Sequence, residues 1–201
     1  MNCLVLGGTG MLGHKILQVL SDTDLGVGCT LHGKREEAAY KHIGLFRSLE
    51  CVLDGFDALR VDEAVKRIEQ HRPEVIVNCL GVIKQRAAAK QAVPSIVLNS
   101  LWPHRLAEAA TKWNGRVIHF STDCVFAGDR GRYKEGDHAD ATDLYGLTKF
   151  LGEVATENSL TEVSATEVSA TKIGSAQIGS TEVRAVEIGI TEVGRAHISS
   201  A

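Results

Sequence analysis

The sequence predicts an α/β fold, a doubly wound parallel sheet, on three observations. Short apolar runs alternate with stretches of helical periodicity along residues 1–160. Several of these runs are apolar throughout rather than alternating, as strands buried on both faces require. The first run passes through three glycines straight into a helix. From Thr161 the character changes and a tail of period five follows.

Cys3 to Leu6 reads as the first buried strand. Gly7, Gly10 and Gly13 follow it, and Met11, Leu12, Ile16, Leu17 and Leu20 recur at helical spacing. A strand that turns through glycines into a helix presents backbone N–H groups at the helix start, a site for a pyrophosphate. The plainer alternative is a glycine-rich turn with no ligand. Leu25 to Leu31 is the second strand, followed by His32-Gly33-Lys34-Arg35. A basic residue after the second strand accommodates the additional phosphate of NADP, where an acidic one would favour NAD. Lys34 and Arg35 therefore lean to NADP, or else simply open a solvated helix.

Leu49 to Leu53 is a short third strand and Asp54 to Ala58 a loop. Val61, Ala64, Val65 and Ile68 mark an amphipathic helix that stops near His71-Arg72-Pro73. Val75 to Gly81 is a fourth, fully apolar strand ending in polar and glycine positions. Ile96 to Trp113 reads as a helix with Asn99 near its start, and Pro103 predicts a kink or boundary inside it. Arg116 to Ser121 is the fifth strand, and Leu144 to Asn158 a closing helix. The carboxyl ends of such strands form a crevice, where Gly7 to Gly13, Gly81 and Thr122 should gather.

Composition excludes several classes. With 201 residues the chain holds one domain, or a domain and a small appendage. The net charge of -3 comes without a dense Lys/Arg run, so nucleic acid is not an expected partner. No run approaches the length of a membrane span, and the start lacks the pattern of a signal peptide. The five cysteines make no CxxC motif or Cys/His cluster, so no metal site is expected. They read as reduced core thiols of a cytoplasmic protein.

Tyr145-Gly146-Leu147-Thr148-Lys149 places a phenol and an ammonium one turn apart on a helix face. The cation stabilises the phenolate, so the tyrosine can exchange a proton near neutrality. An upstream hydroxyl at a strand end, Ser121 or Thr122, adds a hydrogen-bonding partner for a reacting oxygen. Alternatively Thr122 and Asp123 only cap the strand, and Tyr145 is a solvent-facing helix residue.

Gly-x-x-Gly-x-x-Gly, Asn78 to Gly81, Asn99, Ser121-Thr122-Asp123 and Tyr145-x-x-x-Lys149 together resemble the extended short-chain dehydrogenase/reductases, which have a Rossmann-like fold. The run Ser121 to Gly128, then Gly131-x-Tyr133-x-Glu135-x-Asp137 and Tyr145-Gly146-x-x-Lys149-x-x-Gly152-Glu153, is similar to the dTDP-4-dehydrorhamnose reductase branch. Ile83-Lys84-Gln85 and Asn99 to His104 are also similar to relatives that reduce a UDP-linked 4-keto amino sugar. The resemblance implies an NADPH- or NADH-dependent reductase of a nucleotide-activated 4-keto-6-deoxy sugar. Tyr145 would be the general acid, Lys149 would tune it and hold the nicotinamide ribose, and Thr122 would bind the keto oxygen in preference to Ser121. Asn99 would support the lysine through water or shape its own helix. Gly7, Gly10, Met11, Leu12 and Gly13 would hold the pyrophosphate, Asp57 and Ala58 would flank the adenine, and Cys79, Leu80 and Gly81 would pass the riboses. Cys124 stands where the related dehydratases carry Glu, which favours simple reduction. A nucleotide sugar is the implied substrate, and a homodimer paired through helices the implied assembly.

The tail from Thr161 is eight units of five residues, with Val or Ile third in each, from Val163 to Ile198. It resembles the pentapeptide-repeat solenoids, although their central residue is usually Leu or Phe. It reads as a short β-helix or a disordered strip, or as translated repetitive DNA that replaced the rest of a reductase gene. The expected division is a dinucleotide-binding domain over 1–160 and a repeat tail over 161–201. The family's sixth strand and substrate-binding domain have no expected counterpart here. Cofactor binding with impaired turnover is the resulting expectation, and a non-catalytic binding or interaction protein is the alternative.

Overall fold

The structure is a computed structural model and describes residues 1–34, 43–83, 91–134, 136–154 and the backbone of 159–162. Its strands are β1 (Cys3–Leu6), β2 (Val27–Thr30), β3 (Cys51–Leu53), β4 (Val75–Asn78), β5 (Arg116–Phe120) and β6 (Ser159–Glu162). All pairings are parallel, and the order is β3-β2-β1-β4-β5-β6. That order is the Rossmann-like one, with the strand order reversing between β1 and β4. The main helices are α1 (Met11–Leu20), α2 (Val61–Glu69), the short α3 (Ala92–Ser95), α4 (Trp102–Thr111) and α5 (Leu144–Phe150). A π-helical segment, Ile96–Leu101, joins α3 to α4.

The alternation of β1 divides the core. Cys3 and Val5 pack with Ile16, Leu17 and Leu20 of α1 on one face. Leu4 and Leu6 pack with Ala64, Val65 and Ile68 of α2 and with Trp102 and Leu106 of α4 on the other. Both faces of the strand are therefore dry, which is why its sequence is apolar without a break.

Three elements differ from the sequence reading. The single helix expected over Ile96 to Trp113 is interrupted. Pro103 lacks an N–H and cannot complete an α-turn with Asn99, four residues back, so the preceding turn widens and α4 restarts with Pro103 in its first turn. The closing helix stops at Phe150, not Asn158. A sixth strand does exist: Ser159–Glu162 pairs with β5 in the register Val117–Ser159 to Phe120–Glu162, across the boundary expected at residue 160. A parallel ladder at an edge asks for backbone groups rather than a particular side-chain pattern, so the strand was not visible as an apolar run. The solenoid and disorder readings of the tail fall on residues 163–201, outside the described residues.

No helix among the described residues is long and apolar enough to cross a membrane. Among those residues no group of His, Cys, Asp and Glu is placed to hold a metal.

Candidate active site

The three glycines of the first turn have distinct tasks. Gly7 adopts φ +84°, in the left-handed region, and a Cβ there would sit 2.9 Å from the Leu80 side chain. A Cβ at Gly13 would overlap the Gly7 carbonyl, so Gly13 lets α1 press onto the turn. Gly10 is different: a Cβ there would meet a single atom, the Gly7 carbonyl oxygen at 3.2 Å. That contact is tight but not an overlap, and close approach of a phosphate also asks for glycine here.

Thr30 anchors the turn from β2. Its hydroxyl accepts from Gly7 N–H at 2.9 Å and its carbonyl from Gly8 N–H at 3.0 Å. Gly10 N–H is folded back onto the Gly7 carbonyl. Helix α1 starts at Met11 with no side-chain cap and no acidic residue in its first turn. A helix start of that kind suits an anion. Met11, expected on the apolar stripe, is 64% exposed, whereas Gly13, Ile16 and Leu17 face the core. A cleft of about 420 Å³ opens here, lined by Thr9, Gly10, Met11, His14, Lys15 and Gln18. These residues fit the pyrophosphate of a dinucleotide.

The neighbouring strand ends line the same edge of the sheet. Lys34 lies over Gly55, its Nζ 3.5 Å from where a Cβ would stand; Arg35 lies outside the described residues. Asp57 accepts from Leu59 N–H at 3.0 Å and so shapes the loop after β3, while Ala58 is buried in the core beneath it. After β4, Leu80 packs against Gly7, and Gly81 is exposed. Cys79 packs against the α1 face of the core, and burial, then the nearby Cys3, pushes its thiol well above the ordinary range.

The two hydroxyls after β5 are used differently. Ser121 is buried and donates to Glu153 at 2.6 Å. Thr122 is half-buried, accepts from Cys124 N–H at 3.2 Å and donates to Asp123 at 3.1 Å. Thr122 thus caps the turn Asp123–Val125, and its donor is on a half-exposed carboxylate that a ligand oxygen could replace.

Helix α5 starts with Asp143 accepting from Gly146 N–H at 2.9 Å. Gly146 allows α5 to approach the turn after Thr122, because a Cβ there would overlap the Cys124 carbonyl. Tyr145 is half-buried, and Lys149, one turn on, is buried. Lys149 Nζ donates to the Phe120 carbonyl and lies 3.4 Å from His119 Nε2. Burial lowers its pKa from 10.5 to about 8, against an opposing pull from Glu153.

Asn99 is buried in the π-helical segment. Its Oδ1 accepts from Val82 N–H at 2.8 Å, and its Nδ2 donates to the Val82 carbonyl and to Thr148 Oγ1. Both amide hydrogens are spent on pinning the loop after β4 to α5. These bonds are made to segments outside the helix that carries Asn99, and none is to Lys149.

Sequence reasoning passed over Thr30, His119, Trp102 and the pairing of Ser121 with Glu153. His119 had a visible signal, a polar residue inside the apolar run Val117-Ile118-His119-Phe120. The others depend on contacts between distant segments.

Comparison with known proteins agrees with this architecture. A dTDP-4-dehydrorhamnose reductase of Streptomyces griseus is 31% identical over 153 residues, which are 76% of this chain and 43% of the relative. The enzyme of that name from Salmonella typhimurium is 28% identical over 160 residues, covering 79% of this chain and 48% of its own. The chain thus spans about half the length of the curated relatives it matches. Among solved structures, a hypothetical dTDP-4-dehydrorhamnose reductase from Sulfolobus tokodaii superimposes with a TM-score of 0.67 at 24% identity, over 81% of this chain and 55% of that one. A Bacillus anthracis dTDP-4-dehydrorhamnose reductase in complex with NADP gives 0.54 at 21% identity, over 76% and 48%. These two likenesses establish the fold. The family model described as RmlD substrate binding domain matches residues 1–169, the whole sheet included, and the chain belongs to that family.

Proposed function

We propose that this chain is the dinucleotide-binding and proton-handling part of an NAD(P)H-dependent reductase acting on a nucleotide-activated 4-keto-6-deoxy sugar. The observation that carries the reading is Gly10. It is a glycine with one tight internal contact and no overlap, at an uncapped helix start where the strand order reverses. Bound NADPH or NADH would supply the hydride to the sugar carbonyl carbon. Tyr145 gives its phenolic proton to the carbonyl oxygen, which becomes a hydroxyl group on the same carbon. Thr122 turns its O–H from Asp123 to that oxygen and orients it. Lys149, as an ammonium, favours the phenolate that Tyr145 becomes. Lys34 stands on the strand end where a ribose phosphate would lie, which favours NADPH.

The binding unit extends two residues past the expected boundary at 160, to Glu162, where β6 completes its sheet. Cytoplasmic synthesis of surface polysaccharide is the setting that suits such a substrate. A second copy of the chain is the proposed partner, because Val93, Ile96, Leu101, Leu147, Phe150 and Leu151 leave an exposed apolar strip on α3, the π-helical segment and α5. For the 201-residue chain assayed by itself we propose cofactor binding with impaired turnover. A UDP-linked 4-keto amino sugar is the second substrate class, supported by the resemblance of Asn99 to His104.

Calorimetric titration of the purified chain with NADPH and NADH tests the reading. Saturable binding is expected, tighter for NADPH, and lost in Gly10→Val. No binding at millimolar cofactor would instead make the chain a non-catalytic interaction protein.

A further inference from the structure

A buried polar chain runs beneath α5 through Trp102, Asn78, His119 and Lys149. The indole N–H of Trp102 can only donate, and it donates to Asn78 Oδ1 at 3.2 Å. Leu80 N–H reaches the same oxygen at 3.3 Å. Two obligate donors therefore decide which end of the Asn78 amide is oxygen. The other end, Nδ2, faces His119 Nδ1 at 2.9 Å, and an amide nitrogen only donates. Nδ1 must then present its lone pair. A neutral imidazole carries one N–H, so that hydrogen sits on Nε2, which lies 3.4 Å from Lys149 Nζ. An ammonium has no lone pair for it to bond, whereas a neutral amine has one.

We infer that His119 is a positioning residue for Lys149, locked by Trp102 and Asn78 in the Nε2–H tautomer. The ring takes no hydrogen from the ammonium. Phe120 takes one, and the other two stay available to the crevice. The inference rests on the reading of Lys149 as the lysine of a reductase site. The opposite tautomer would draw a second ammonium N–H into the protein and hold the cation inward.

The surroundings agree. Burial holds His119 well below its ordinary pKa, and the charges of Lys149 and then His104 push the same way. Burial lowers Lys149 as well, to about 8. The groups facing this pair are few among the described residues. Glu153, just beyond α5, favours the ammonium and accepts from Ser121. His104 on α4 meets the Leu151 carbonyl. Tyr145 stands one turn before Lys149, and β4 contributes Asn78, which is uncharged.

Long-range proton–nitrogen spectra of the full, unliganded chain, labelled at histidine, read the tautomer directly. The Nε2–H form is expected for His119 between about pH 6 and 8. An Nδ1–H ring, or an imidazolium in that range, overturns the inference. Asn78→Asp exchanges the amide donor for an acceptor. The ring should then carry its hydrogen on Nδ1 and accept from Lys149, and the Lys149 midpoint, read from the carbon shift beside Nζ, should rise by about one unit. NADPH affinity should fall several-fold, to about a fifth, as one ammonium hydrogen is withdrawn. A folded Asn78→Asp chain with an unchanged tautomer or midpoint overturns the inference, as does an unchanged affinity where the wild type binds NADPH. Should that variant not fold, His119→Gln offers its carbonyl to Nζ, and an unmoved midpoint there has the same force. Tautomer and midpoint are read without cofactor, so a wild-type chain that fails to bind NADPH tells against the reductase reading alone.

Discussion

Gly152 and the Asn99 carbonyl oxygen approach so closely that a Cβ at position 152 would overlap the oxygen. The cause lies four residues past Asn99, where Pro103 has no N–H to take that carbonyl into an α-turn. The π-helical segment turns the carbonyl outward, and the chain leaving α5 lies on it. A proline in one helix therefore requires a glycine after another, and the pair sets where Tyr145 and Lys149 stand.

Gly152→Ala should accordingly cost about 2–3 kcal/mol in urea denaturation, as overpacking against rigid backbone does. It should also lift α5 from the π-helical segment. A loss within about 0.5 kcal/mol, typical of a surface substitution, would show that the contact is slack.

Gly10→Ala and Gly13→Ala should separate binding from folding. Gly13→Ala drives a Cβ into the Gly7 carbonyl and should destabilise the chain by about 2 kcal/mol or more. Gly10 has φ -70° and one tight neighbour, the Gly7 carbonyl oxygen at 3.2 Å, so its alanine variant should lose less stability than Gly13→Ala while losing NADPH affinity about ten-fold or more. Equal effects on melting would remove the argument for a phosphate at Gly10.

Lys149→Met should expose the cost of the buried ammonium. The folded pKa of about 8 lies below the ordinary 10.5. Between those values the unfolded chain binds more protons, so the wild type should gain stability relative to Lys149→Met as pH rises. The penalty is present in full below pH 8 and amounts to about 3 kcal/mol at most. Unfolding free energies of both chains, measured from neutral to alkaline pH, should converge or cross. A constant difference would place the lysine in solvent.

His119 should make the fold acid-sensitive, with a slope of the same sign at lower pH. Its folded pKa is depressed by burial below the ordinary 6.5. The unfolded ring takes a proton below that value and the folded ring does not. Relative to His119→Phe, the wild type should lose stability as pH falls through 6.5, by up to about 1.4 kcal/mol per unit. Equal acid profiles for the two chains would contradict a neutral buried ring.

The strands most legible in the sequence were those buried on both faces. Cys3–Leu6 and Val75–Asn78 needed no partner to be recognised, because dryness on both sides forces an unbroken apolar run. The glycine turn was legible for a similar reason, since its constraint is local to the backbone. What stayed hidden depends on segments far apart in the chain. Asn99 was expected to support the lysine through water or to shape its own helix, and its bonds to Val82 and Thr148 join segments that no local pattern brings together. Ser121 and Thr122 are adjacent in sequence, and only the placement of Glu153 distinguishes them. The end of α5 at Phe150 could not be read from periodicity, because a contact with a carbonyl some fifty positions earlier decides it.

Strand β6 ends on Thr161-Glu162, the first two residues of a unit whose Thr-Glu pair returns at 166–167, 181–182 and 191–192. The ladder to β5 is built from peptide groups. The outer margin of this sheet is thus a permissive seat, where the chain can exchange one string of residues for another and keep its architecture. Innovation at that margin is cheap in a way that it is not at Gly13 or Gly152, where one methyl group is too many.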